Sequence, residues 1–306
     1  MKKIVRTVVL LFVSTLTFAQ TPAAVNPADT AWKSGAQFNI QLNQASYSNW
    51  QAGGVNSVAG NVLFNAFADY DKGGKWAWFN SVNMAYGLNF QDTLFSKTDD
   101  RFEFESRLDR KLSKKWNVSA LLNFRTQFSN GYETPGLRED TTKISGFLAP
   151  AYTLFGLGFT YKPNKKFSAF ISPVTLKITS VYDDRLAGMG AFGVDTGSNN
   201  RVEVGGYVNL GFKTPLGKNI ELQSKLDLYS NYLDGNYKFV DVNGEMIIFM
   251  KVNDYISASL TLNVIYDHDI LIDTNKDGTP DGPRTQFREV LGVGFAYNFG
   301  DKRKQQ

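Results

Sequence analysis

Hydrophobic and polar residues alternate with a period of two over most of the chain, the signature of β-strands with two unlike faces. In residues 285–299, Phe287, Leu291, Val293, Phe295, Tyr297 and Phe299 share one face, with Glu289 the exception. Arg288, Val290, Gly292, Gly294, Ala296 and Asn298 share the other. Residues 255–267 and 115–129 repeat the scheme. Soluble sandwich strands run about 5–6 residues, whereas these runs last about 10–15. A tilted strand needs roughly 9–11 residues to cross a bilayer. Twelve strands are predicted, over 35–43, 57–70, 75–90, 100–112, 115–129, 146–161, 165–179, 200–213, 219–230, 237–250, 254–267 and 285–299. An even number suits a closed antiparallel barrel with both termini on one side.

The connections alternate in length. Tight turns at 71–74, 113–114, 162–164, 214–218 and 252–253 are interleaved with mostly longer segments near 44–56, 91–99, 130–145, 180–199, 231–236 and 268–284. Transmembrane barrels have short periplasmic turns and long outer loops, a sorting that a soluble sandwich has no reason to adopt. Trp76, Trp78 and Trp116 open strands while Tyr297 and Phe299 close one, as a periplasmic aromatic girdle would require. The fold predicted is a single all-β, antiparallel up-and-down transmembrane barrel over 35–299, followed by a polar tail, 300–306.

The first 19 residues stand apart. Lys2, Lys3 and Arg6 precede the apolar run from Val8, and Thr17-Phe18-Ala19 resembles a small-x-small cleavage site, so 1–19 reads as a secretory signal peptide. Residues 20–34 read as a flexible periplasmic leader. The formal charge of +4 falls to +1 once the three signal-peptide cations are removed, so the basic character gives no reason to expect nucleic acid. Mean hydropathy of -0.27 excludes a helical membrane protein. The absence of cysteine excludes disulfides, thiolate metal sites and cysteine nucleophiles. A single histidine, His268, excludes a multi-histidine metal site.

The face expected to look inward is densely charged. Arg101, Glu103, Glu105, Arg107, Asp109 and Lys111 share one side of their strand. Arg125, Lys177, Arg201, Glu203, Glu221, Lys225, Asp227, Asp241, Glu245, Lys251, Asp267 and Arg288 take inward positions on others, giving nine positive and nine negative charges. A strongly selective pore would carry an excess of one sign. Matched charges instead pair across strands and fill a narrow lumen. Both a narrow polar conduit and a salt-bridged interior fit this count.

Gly294-Phe-Ala-Tyr297-Asn-Phe299 resembles the terminal-strand signal read by the bacterial barrel assembly machinery, which implies that machinery as a partner in biogenesis. The seven-residue tail beyond Phe299 departs from that signal, which ordinarily ends the chain. Four further stretches resemble a family of uncharacterised Bacteroidota outer-membrane barrels, domain of unknown function 3078. They are Ser48-Asn-Trp50-Gln-Ala-Gly53-Gly54-Val-Asn-Ser57, Trp76-Ala-Trp78-Phe-Asn80, Thr126-Gln-Phe128 and Gln286-Phe-Arg288-Glu-Val-Leu-Gly-Val-Gly-Phe295. The resemblance spans roughly 31–299 and implies a Gram-negative outer-membrane location without an activity.

Three smaller features bear on chemistry. Asp273, Asn275, Asp277 and Asp281, with Gly278 and Gly282, resemble the start of a calcium loop, although Arg284 stands where an EF-hand needs glutamate. An ordinary Asp/Asn/Gly turn fits as well. The block with Trp50, Gly53 and Gly54 could fold into the barrel mouth or form an interface-anchored turn. His268 lacks the His-x-Ser spacing of twelve-stranded phospholipase barrels, so no catalytic residue and no enzyme are expected. Two function classes remain: a channel for small hydrophilic solutes, and a non-conducting structural or surface-interaction barrel. Outer-membrane lipid is the expected surround in either case.

Overall fold

The computed structural model describes residues 31–45, 57–91, 94–133, 142–233, 236–253, 256–272 and 281–300. The segment expected to be a signal peptide, and all of the leader before Ala31, lie outside them.

Twelve antiparallel strands close into one barrel. They are β1 (Trp32–Ala45), β2 (Ser57–Asp71), β3 (Trp76–Gln91), β4 (Leu94–Lys111), β5 (Trp116–Thr126), β8 (Ala151–Tyr161), β9 (Phe167–Ser180), β10 (Asn200–Pro215), β11 (Ile220–Asn231), β12 (Asp241–Lys251), β13 (Ile256–Tyr266) and β14 (Gln286–Gly300). Each barrel strand pairs with its sequence neighbours, and β14 returns to pair with β1. The chain enters and leaves on one rim, where Gly35 faces Gly300. Two short strands, β6 (Gly131–Tyr132) and β7 (Lys143–Ser145), form a separate hairpin between β5 and β8.

The alternation in sequence becomes alternation in space. Phe287, Leu291, Val293, Phe295, Tyr297 and Phe299 are exposed on the outer wall, as are Phe155, Leu157 and Phe159 of β8. The buried polar residues Asn39, Gln41, Glu103, Asp109, Asn123, Thr160, Glu203 and Asp227 point into the lumen. The barrel is therefore apolar outside and polar inside, the reverse of a soluble protein. Aromatic residues collect along the rim of tight turns. Trp32 packs on Tyr70 and Trp78, with centroids 5.3 and 5.8 Å away, and Trp116 lies 4.7 Å from Tyr161. In the β2–β3 turn, Gly73 takes a positive φ of 76° and its N–H donates to Asp71 Oδ1 at 2.7 Å, which supplies the left-handed residue the turn needs.

Several boundaries differ from expectation. β4 begins at Leu94, six residues before the predicted start, so only two residues separate it from β3. Phe95 carries the outer face upward, its ring tilted against that of Phe90 on β3 at 4.6 Å, so the supposed loop 91–99 is mostly strand. The predicted strand 146–161 begins only at Ala151, because Leu148 takes a positive φ of 54° in a turn where Gly146 and Ala149 bond each other, at 2.7 and 3.1 Å, instead of the neighbouring strand. β1 starts at Trp32, three residues inside the expected leader.

On the opposite rim, segments between strands carry structure of their own. The β9–β10 connection holds a one-turn helix, α1 (Asp184–Gly188), and a 3₁₀ turn at Ala191–Gly193. Ala149, Val181, Leu186, Ala187 and Val194 form a small buried core there, with Phe192 against it. Polar bonds tie this segment to its neighbours: Lys143 Nζ donates to Asp183, and Arg185 donates to the Lys143 carbonyl at 2.7 Å.

Candidate functional site

Period-two geometry sends every second residue of β4 into the lumen. Arg101, Glu103, Glu105, Arg107, Asp109 and Lys111 therefore form a charged column down one wall. Going round the ring from β4 through β3, β2, β1, β14 and β13, β12 is the sixth strand, and so stands opposite. Arg101 nevertheless bonds Glu245 of β12, with Nη1 at 2.6 Å from Oε2. Asn263 Nδ2 supports the same oxygen at 3.2 Å. These two long side chains cross the whole lumen and join facing walls.

A second layer lies beside this tie. Glu103 accepts from Asn123 Nδ2 at 2.9 Å, Arg125 Nε at 3.1 Å and Lys225 Nζ at 3.0 Å. Lys225, on β11 and five strands away, also reaches Glu105 at 3.1 Å. Arg125 donates its other end to Asp227 at 2.6 Å, and Tyr207 Oη and Asn209 Nδ2 both donate to the second Asp227 oxygen at 2.6 Å. Burial of such charges is tolerable only because each is paired and hydrogen-bonded. Charge-assisted bonds of this length are the stronger kind.

Towards the tight-turn rim, Asp109 is contacted by Arg107 at 3.2 Å, by Lys162 at 3.2 Å and by the Ser119 hydroxyl at 2.7 Å. The Phe79 ring lies beneath both cations, 5.2 Å from the Arg107 guanidinium and 4.7 Å from Lys162 Nζ. Lys111 pairs with Asp71 at 2.9 Å at the rim itself. Towards the other mouth, Lys177 holds Asp241 at 2.9 Å and Glu203 at 3.5 Å, and Arg201 holds Asp269 at 2.7 Å. Arg201 also donates to the Gly193 carbonyl at 3.2 Å, anchoring the β9–β10 segment to the barrel mouth. Arg288 meets Asp99 at 3.0 Å and Asn263 at 3.2 Å.

All eight residues of the charged cluster expected from sequence, Arg101 to Lys111 with Arg125 and Arg288, thus lie inward, and the ion pairs join them into layers. Sequence reasoning missed Asp99, Lys162 and Asp269. Asp99 sat in the supposed loop before β4 and Lys162 in the turn after β8. Extending the alternation two residues past Arg101 and past Thr160 would have found both. Asp269, beyond the end of β13, gives no periodic signal.

Other candidates come out differently. Trp50, Gly53 and Gly54, and the calcium-loop residues Asp273, Asn275 and Asp277, lie outside the described residues. Asp281 closes the base of that loop, its N–H donating to the Ile272 carbonyl at 3.0 Å. Among the described residues no group of three or more His, Asp or Glu side chains could hold a metal ion. His268 is stacked on Phe239 at 3.5 Å and bonded to Tyr266 at 3.4 Å.

The pattern of the family described as a protein of unknown function (DUF3078) matches residues 42–132, from the end of β1 to β6. No curated protein matches the chain. Solved structures similar to it include the translocator domain of the autotransporter NalP from Neisseria meningitidis, 10% identical over 88% of each chain with a TM-score of 0.38. The COG4313 outer membrane channel from Pseudomonas putida F1 is 11% identical over 90% of this chain and 100% of that one, with a TM-score of 0.40. Outer membrane phospholipase A from Escherichia coli is 11% identical over 89% of this chain and 93% of that one, with a TM-score of 0.37.

Proposed function

We propose that the chain is an outer-membrane barrel whose resting lumen is shut by a transverse layer of ion pairs, with both chain termini on the periplasmic side. The Arg101–Glu245 bond between opposite strands carries this reading. An open aqueous pore keeps its charged walls apart, whereas here Arg101 and Lys225 reach to the facing wall. The apolar outer wall and the aromatic rim support a membrane setting. Balanced charge supports closure over selectivity, since a selective pore would carry one sign in excess.

Conductance of the refolded mature protein in a planar bilayer tests this. The parent should be silent, and the double variant Arg101→Ala/Lys225→Ala, which removes both crossing cations, should show discrete steps. A parent that already conducts, with steps altered by Arg107→Gln or Glu105→Gln, would overturn the closed reading in favour of a narrow conduit for small hydrophilic solutes. One observation favours that second reading: the Arg101 and Lys225 side chains keep 33% and 31% of their surface open to the lumen, so water reaches the tie from within.

A further inference from the structure

The barrel wall is not closed to equal height all round. The ladder between β1 and β2 runs fourteen pairs, from Trp32↔Tyr70 to Ala45↔Ser57. That between β1 and β14 runs only seven, from Gly35↔Gly300 to Gln41↔Gly294. Continuing it would set Leu42 against Val293, Asn43 against Gly292, Gln44 against Leu291 and Ala45 against Val290. Among the described residues none of these pairs forms, although β1 reaches Ala45 and β14 stays paired to β13 up to Gln286. Gln41 marks the point of parting. Its side chain lies against Gly292 on the lumen side and donates to Ser259 Oγ on β13 at 3.0 Å.

Two strand edges therefore diverge within the wall of a membrane barrel. Unpaired N–H and C=O groups cannot face hydrocarbon, where each costs several kcal/mol, so a polar partner must meet them. The residues flanking the gap differ on its two sides. Outside, Leu42, Leu291 and Val293 are exposed and apolar, while Glu289 is exposed one turn of the pleat higher. A carboxylate on the lipid face is tolerated near the headgroups and not at the bilayer centre, which sets the upper part of the gap at headgroup depth. Inside, the register carries Glu245 onto Asn263 and Asn263 onto Arg288, so the row of the cross-lumen tie enters the unpaired stretch of β14 at Arg288. With the lumen shut at that row, a molecule in its outer half has a sideways exit.

We propose that the parted half of the β1–β14 seam is a lateral portal for a single-chain anionic amphiphile. The apolar chain lies outward along Leu42, Leu291 and Val293. The anionic head meets the edge amides that β1 and β14 leave unpaired to each other, and the remaining N–H groups of Arg288, whose Nη1 is held by Asp99 at 3.0 Å and whose Nε is held by Asn263 at 3.2 Å, a donor set that an uncharged hydrocarbon could not satisfy. This rests on the membrane-barrel reading above.

The chain contains no cysteine, so the seam can be closed at will. A Val290→Trp variant, with its indole on the lumen side of the gap, is refolded into phosphatidylcholine vesicles and titrated with brominated dodecanoate and with brominated dodecyltrimethylammonium. Dodecanoate should quench the new tryptophan beyond the parent's signal, and bind about tenfold more tightly than the cation, the ratio one charge-assisted contact supplies. Arg288→Gln should remove that preference. Adding Leu42→Cys and Val293→Cys should abolish the quenching when oxidised and restore it on reduction. Quenching indifferent to the disulfide, or equal for the two head groups, would overturn the portal. Amide exchange on the unsubstituted protein gives an independent reading. Every second amide over 42–45 and 286–293 should exchange faster than those over 35–41, and equal protection would show the edges covered and the portal absent. Planar-bilayer conductance of the parent separates the failures: a conducting barrel sinks the closed lumen, whereas a silent barrel that ignores dodecanoate sinks only the portal.

Discussion

Arg101 and Glu245 bond at 2.6 Å although their strands stand on opposite sides of a twelve-strand ring. The contact belongs to no ladder, so sheet pairing does not dictate it, and its energy is separable from that of the barrel wall. Both side chains keep some contact with lumen water, at 33% and 22% exposure, which places the pair between a surface salt bridge and a fully buried one. A double-mutant cycle with Arg101→Met and Glu245→Gln should therefore return a coupling of about 1 kcal/mol. Urea unfolding midpoints of the refolded barrel would measure it. A coupling indistinguishable from zero would mean that the two groups do not hold the walls together.

Glu103 and Glu105 share a strand, a face and a partner, yet should respond unequally to neutralisation. Glu103 is the buried acceptor of Asn123, Arg125 and Lys225, while Glu105 takes only one of the bonds from Lys225 among those described. Glu103→Gln leaves two cations facing a neutral amide and should cost about 2–4 kcal/mol, near the range for breaking a buried pair. Glu105→Gln should cost about 1 kcal/mol or less. Equilibrium unfolding of the two variants side by side checks the order. Equal losses would show that Lys225, and not Glu103, is the centre of the layer.

The barrel was legible because its two faces meet solvents of opposite character, so the period-two pattern persists through every strand, and turn chemistry such as Asp71-Lys-Gly73-Gly74 marks the tight rim. The inward identity of Arg101 through Lys111 followed from the same parity. Which charge meets which did not follow. The Arg101–Glu245 bond spans 144 positions, and only closure of the ring brings those walls together. The ordered outer segments were invisible for a different reason. The core of Ala149, Val181, Leu186, Ala187 and Val194 draws on residues from two connections, with no repeating period inside either. The early start of β4 was missed because Lys97 and Asp99 look like loop residues until their partners are known, Asp100 for the first and Arg288 for the second.

Gly294 is the last residue of β14 paired to β1, and a Cβ there would run into the Ile40 carbonyl oxygen. Gly294→Ala should push the two strands apart where the seam is already shortest, at a cost of about 1–3 kcal/mol. Gly217, in the β10–β11 turn, has no positive φ, and a methyl added there would meet nothing within 4 Å. Gly217→Ala should stay within about 0.5 kcal/mol of the parent. Heat-dependent mobility of the folded barrel on gels distinguishes the two variants. A Gly294→Ala barrel as heat-resistant as the parent would mean that the seam can absorb a methyl.

Asp183 caps the β9–β10 segment. One carboxylate oxygen accepts from the Leu186 N–H at 2.9 Å as the N-cap of α1, and the other takes Lys143 Nζ from β7. The Lys143 hydrogen bond is the largest effect and holds this carboxyl below its ordinary value of 3.8 against the opposing effect of burial, and the bond from the Leu186 N–H adds to the lowering. A depressed value means that the folded segment binds its proton less readily than the unfolded chain. The stabilisation is thus fully present above about pH 4, the ordinary aspartate value, and is lost as the pH falls through the lower folded value. Amide protection of Leu186–Met189 should accordingly hold from neutral pH to about pH 4 and fall below it, while the barrel strands stay protected. Asp183→Asn keeps a capping oxygen but loses the charge, so it should remove the acid transition at a cost of a few tenths of a kcal/mol. Asp183→Ala loses both and should cost about 1 kcal/mol. An acid transition that persists in Asp183→Asn would assign it to another carboxylate of the outer rim.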